Sequence, residues 1–130
     1  MSIFLDLRTA ISLAGSLATY FYFHPSFPIE ISFVFWGVFA FFYFLDARIT
    51  VCNSHLMGYE KNIIFPALYK RYGPKISPII QCGIEIFIII LLPFFFITKI
   101  GFSDSSVVAL VFGLSHLLGY YSNKKIIDAS

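Results

Sequence analysis

Three ionisable side chains stand where ionisable side chains are rare. Asp46, Glu85 and His116 each lie inside or at the margin of a long apolar run. A titratable group at such a position is costly, and it marks a functional site by default. Two carboxylates and an imidazole are the ligand types of a non-haem iron or other transition-metal site. The same groups can relay a proton or hold a cation in transit. The plainest use is hydrogen bonding between helices, worth about 0.6 kcal/mol for each contact. Spacing across separate segments does not choose among these uses, so metal, proton and packing roles all stay open.

Local spacing adds neighbours to the set. Asp46, Thr50 and Asn53 recur at i, i+4 and i+7, which puts them on one face of a helix. Gln81 and Glu85 are likewise four residues apart. His55 and Glu60 are placed to cap such a cluster from one side, and Arg48 to pair with a carboxylate. No H-E-x-x-H, G-x-S-x-G or phosphate-cradling glycine loop occurs. The adjacent pairs Ser54–His55 and Ser115–His116 cannot act as nucleophile and base, because neighbours on a helix point to different faces. No catalytic residue is assigned.

The elements that position these groups follow from composition. Of 130 residues, 58% are hydrophobic, 20% aromatic and 12% charged, against about 25% charged in soluble domains. Half the usual charge excludes a disordered tail, a nucleic-acid module and a cytosolic enzyme. Cys52 and Cys82 form no C-x-x-C pattern and read as two separate thiols rather than a disulfide framework. What remains is an all-α, polytopic membrane protein with the lipid bilayer as its first partner. A spanning helix needs about 20 mostly apolar residues, so the chain has room for four spans and no soluble domain.

The expected fold is a single transmembrane domain over residues 1–130, a four-helix bundle with spans near 9–24, 30–52, 76–98 and 105–121. The first run ends in Tyr20, Phe21, Tyr22 and Phe23, where a signal-peptide cleavage site would want small residues, and it reads as a retained span. Pro25 and Pro28 make an extended link to the second. The uncharged part of the second run, residues 31–45, reaches only about 22 Å, so that helix must carry Asp46 and Thr50 onward before Gly58 stops it. Residues 58–75 form the cytoplasmic connection, within which residues 62–72 mix apolar, aromatic and basic side chains in the manner of a segment lying among headgroups. Residues 122–130 read as a polar tail.

With an even number of spans, Arg8, Arg48, Lys61, Lys70, Arg71, Lys75, Lys124 and Lys125 fall on one side and Lys99 on the other. That asymmetry puts both termini in the cytoplasm of a multi-pass cell-membrane protein. At 1.5 Å per residue, Asp46 lies about 22 Å from the outer face, Glu85 about 14 Å from the inner face and His116 about 17 Å from the outer face. All three then share the cytoplasmic half of the bilayer. Ala10, Ala14 and Ala18 in the first run, and Ala109, Gly113, Ser115 and Gly119 in the last, form small-xxx-small faces, which predict close packing of these two helices.

Asp46-Ala-Arg-Ile-Thr50 followed by Gly58-Tyr-Glu60-Lys-Asn62 resembles the signature of a family of small, mostly archaeal, multi-span membrane proteins of unknown function. That family reads D-x-x-x-T, then glycine, then E-x-N-P at the end of a span. The resemblance covers residues 46–62, and Ile63 stands where the family has proline. It implies about four helices and a polar corner of Asp46, Thr50, Glu60 and Asn62, with no activity attached. The leading expectation is a non-catalytic accessory subunit of a larger respiratory or monooxygenase-like membrane complex, with other membrane subunits as partners. The alternative is a small homo-oligomeric ion or proton transporter or channel using Asp46, Glu85 and His116. A metal-dependent membrane enzyme with the same three ligands is the third reading.

Overall fold

The computed structural model describes residues 3–23, 27–53, 55, 58, 64–95 and 102–130. Four helices organise them: α1 (Ile3–Phe23), α2 (Ile29–Cys52), α3 (Ile64–Leu91) and α4 (Phe102–Ala129), with a 3-10 turn at Leu92–Phe95. No strand occurs among the described residues. Three of the helices, α2, α3 and α4, are long and apolar enough to cross a membrane. The first helix is not among them. Its 21 residues reach about 31 Å, but Asp6 and Arg8 fall inside its first turns.

Local chemistry sets the ends of α2. Pro28 is extended at φ −59°, ψ 147°, and its carbonyl accepts the Ile31 N–H at 3.1 Å. Glu30 lies in the first turn, where a negative charge complements the helix dipole. At the other end the Asn53 backbone N–H bonds the Thr50 carbonyl at 3.3 Å. Its side-chain Nδ2 donates to the Ile49 carbonyl at 2.8 Å.

Gly73 divides α3. Its φ of 77° and ψ of 179° are non-helical, in a region essentially reserved for glycine. Pro74 then opens the second segment, where the missing N–H leaves no helical bond unmade. The expected loop at residues 58–75 is therefore helical from Ile64 onward. The described part of its amphipathic stretch, residues 64–72, is helical before the kink. The α-helix ends at Leu91, short of the expected 98, because Pro93 cannot continue it and a 3-10 turn takes over.

The closest-packed pair is α2 with α4. They run parallel: Gly113 faces Phe39, Gly119 faces Asp46 and Asn123 bonds Thr50, so both numbers rise together. A Cβ on Gly113 would stand 2.9 Å from the Phe39 backbone, so the absent side chain is what lets the two helices meet. The small residues of α4 thus serve α2. The small-residue face expected to pack closely on α1 is not used this way: Ala14, Gly15 and Ala18 are exposed, and α1 packs through Leu17 and Phe21. Tyr20 Oη donates to Asp104 Oδ1 at 3.2 Å, tying α1 to the first turn of α4.

Phe39, Tyr43, Ile89, Val108, Ala109 and Val111 complete the core between the helices. The outward surface stays apolar, with Phe33, Phe41, Phe44, Ile79 and Phe87 all more than half exposed. A soluble protein would bury such residues; lipid contact explains leaving them out. The polar tail expected at residues 122–130 is instead the last two turns of α4. Extending an existing helix fixes one residue per added bond, and Asn123, 8% exposed, anchors the extension to α2.

Candidate functional site

Each of three helices contributes one ionisable group to a single point. His116 of α4 stands between the two carboxylates: its Nδ1 is 2.9 Å from Asp46 Oδ2, and its Nε2 is 2.6 Å from Glu85 Oε2. The side chains of His116, Asp46 and Glu85 are 17%, 18% and 7% exposed. The depths worked out from helix rise alone bring these groups to one level, and side-chain contact follows.

The remaining carboxylate oxygens are held by amides. Gln81 Nε2 donates to Glu85 Oε1 at 2.7 Å. Asn123 Nδ2 donates to Asp46 Oδ1 at 3.3 Å and to Thr50 Oγ1 at 3.0 Å. Thr50 Oγ1 donates in turn to the Asp46 carbonyl, one turn back, at 2.9 Å. One hydrogen-bonded chain therefore runs Gln81, Glu85, His116, Asp46, Asn123, Thr50 across α3, α4 and α2.

The proton inventory of this chain follows from its geometry. An amide N–H already fills the far oxygen of each carboxylate, so each N···O contact of His116 needs one proton between its two atoms. Two contacts require two protons over three groups. An imidazolium between two carboxylates satisfies this, and so does a neutral imidazole with one carboxylic acid. Both arrangements carry a net charge of −1, and moving one proton by less than an ångström interconverts them. Adding or removing a proton breaks one contact. Such a site is suited to taking up and releasing single protons.

Aromatic side chains of α2, one and two turns before Asp46, wall the site. The Tyr43 ring meets His116 edge to face, 4.9 Å between centroids at 84°, and Phe39 lies 6.1 Å away. Tyr43 Oη donates to the Pro78 carbonyl of α3, which holds the ring in place and keeps the hydroxyl out of the triad. Gly119 makes room below: a Cβ there would stand 2.8 Å from Asp46 Oδ2.

Of the residues expected near the site, Asp46, Glu85, His116, Thr50 and Gln81 come together. Asn53 does not, because its amide is spent capping α2. Arg48 and His55 are exposed. Glu60 and Asn62 lie outside the described residues. Cys52 and Cys82 are both free thiols. Among the described residues no group of three His, Cys, Asp or Glu side chains is arranged to hold a metal ion, and both nitrogens of His116 are already occupied by carboxylates. Three contributors were not expected at the site: Asn123, Tyr43 and Gly119, the last of which the sequence marks only as part of a packing face. His116, Gly119 and Asn123 sit at i, i+3 and i+7 of one helix face, a signal that assigning residues 122–130 to a tail conceals.

Comparison of the chain with family models, with curated proteins and with solved structures returned no match. The class is therefore defined by fold and site: an all-α protein with three helices able to cross a membrane and a carboxylate–imidazole–carboxylate triad between them.

Proposed function

We propose that this chain is a proton-handling membrane protein, a small transporter or channel whose exchange site is Asp46–His116–Glu85. One observation carries the reading: an imidazole spans two carboxylates from two other helices, so the two protons that its contacts require can be shared among three groups. Buried ionisable groups facing a helix-bundle interior are the usual components of proton relays in pumps and transporters. A triad used for packing alone would gain little, since interhelical hydrogen bonds in membranes contribute about 0.6 kcal/mol each.

The reading includes a four-span topology in which α1 also crosses, with both termini on the cytoplasmic side of the cell membrane. The distribution of lysine and arginine supports it. The triad then lies in the cytoplasmic half. Kinship with the small archaeal family is part of the same proposal, supported by the Asp46–Thr50 spacing and by the structural role of both residues.

The test is proton flux into liposomes holding the purified chain, driven by a potassium diffusion potential. Wild-type protein raises the flux, and Glu85→Gln and Asp46→Asn abolish it while preserving the amide-bonded shape of each site. Flux identical in wild type and both variants refutes the proposal. The accessory-subunit reading draws on the exposed aromatic flank at Phe33, Phe41, Phe44 and Phe87, which suits a protein neighbour as well as lipid. It requires larger subunits to co-purify in fixed stoichiometry from mild detergent.

A further inference from the structure

The second segment of α3 buries one stripe: Ser77, Gln81, Glu85 and Ile89, each four residues after the last. Three of the four are polar. Ser77 is fully buried, Gln81 is 4% exposed and Glu85 is 5% exposed. The stripe starts one turn beyond the Gly73 kink, beside the exposed Pro74 and Lys75, and ends at the triad.

Its polar atoms form a chain with one gap. Ser77 Oγ donates to the Gly73 carbonyl at 2.7 Å, which leaves its lone pairs available. Gln81 Nε2 is spent on Glu85. Gln81 Oε1 is buried and, among the described residues, has no hydrogen-bond partner. A buried amide oxygen without a donor costs about 1–3 kcal/mol, and native structures fill such positions with ordered water. Rotating the amide by 180° does not remove the problem. It would aim the carbonyl at a carboxylate oxygen and leave the amide nitrogen as the orphan.

We infer that a single bound water occupies this gap, donating one hydrogen to Gln81 Oε1 and the other to Ser77 Oγ. Residues four apart on a helix are neighbours on one face, which sets Ser77 and Gln81 next to one another along the buried stripe. The water joins the kink at Gly73 to the triad at Glu85 and makes this face of α3 the solvent inlet of the site. Ser77 and Gln81 are positioning residues: they hold the water and touch no transported species. The inlet role rests on the proton-handling reading, whereas the bound water does not.

Two measurements on the full chain in lipid nanodiscs test this. A structure at water-resolving resolution should contain density about 2.7–3.2 Å from Gln81 Oε1; its absence overturns the inference. The second is exchange of the His116 ring N–H protons with solvent, followed by NMR on protein labelled with nitrogen-15 histidine. Ser77→Ala touches no triad atom and should slow that exchange about fivefold to tenfold, the effect of losing one hydrogen bond to the water. Ser77→Thr, which keeps the hydroxyl, should restore it. Gln81→Leu should slow it further. Unchanged exchange in both Ser77→Ala and Gln81→Leu overturns the inlet. If exchange depends on Ser77 but liposomes carry no flux, the inlet stands and the transport reading falls.

Discussion

Gly119 is the reason Asp46 can reach His116: a Cβ on residue 119 would fall 2.8 Å from Asp46 Oδ2 and 3.2 Å from two further atoms of that carboxylate. The triad needs a residue without a side chain one turn beyond its histidine. The same helix uses the same device at Gly113, where the nearest obstruction is the Phe39 backbone at 2.9 Å. One glycine lets two helices touch, and the other lets a carboxylate lie in their seam.

The two glycines predict different costs. Gly119→Ala is relieved by a side-chain movement, and its cost should be about 1 kcal/mol together with loss of the Asp46–His116 contact. Gly113→Ala must move main chain, and its cost should approach about 3 kcal/mol. Thermal unfolding in detergent, with the wild type alongside, gives the order. Equal effects would contradict the packing described for α2 and α4.

Removing His116 should be worse than removing the whole triad. His116→Leu leaves two carboxylates facing one another with nothing between them, and breaking a buried pair in this way costs about 3–5 kcal/mol. Replacing Asp46, Glu85 and His116 together by leucine removes the charge and its desolvation, and should recover most of that loss. Urea or thermal denaturation of the single and triple variants measures both. A triple variant less stable than His116→Leu would mean that the triad is a net stabilising clamp.

Gly73 should tolerate no side chain despite having space for one. Nothing lies within 4 Å of a Cβ built there, so any penalty is conformational. At φ 77°, ψ 179° it should be about 1–3 kcal/mol for Gly73→Ala. Spin labels at Tyr69 and Ile79 should report a changed distance as the kink relaxes. No change in stability or distance would count against the kink.

Ser32 offers a prediction of the opposite sign. Its side chain is fully buried, and among the described residues its hydroxyl has no hydrogen-bond partner. Ser32→Ala removes an unsatisfied polar group at the cost of one atom of volume, so stability should rise by about 1 kcal/mol. A loss of stability would mean that the hydroxyl has a bound water as its partner.

Much of the site is legible in the sequence, because a charge amid apolar residues stands out. Asp46, Glu85 and His116 are conspicuous for that reason, and helix rise converts their positions into a common depth. Thr50 and Gln81 follow from four-residue spacing. Asn53 obeys the same rule and still goes elsewhere, since the last carbonyls of α2 need a donor and Asn53 is the nearest one. Asn123 was not legible, and Gly119 was legible only as a packing residue. Residues 122–130 are polar enough to read as a tail, and only contact with Thr50 and Asp46 makes Asn123 part of the core.

The amino-acid order alone determined that the chain is helical, that lipid suits most of its surface, and which three groups would be strained by that setting. These are properties of single segments, set by hydrophobic run length and by the cost of burying charge. Which helices pair was decided in three dimensions. The apolar residues of α2 surround it on every side, so no periodicity points toward a partner. The two glycines of α4 face α2, because there the Phe39 main chain and the Asp46 carboxylate come close enough to need them. From that pairing come the register of Asp46 with His116 and the contact of Asn123 with Thr50 two turns further on, which neither composition nor spacing could disclose.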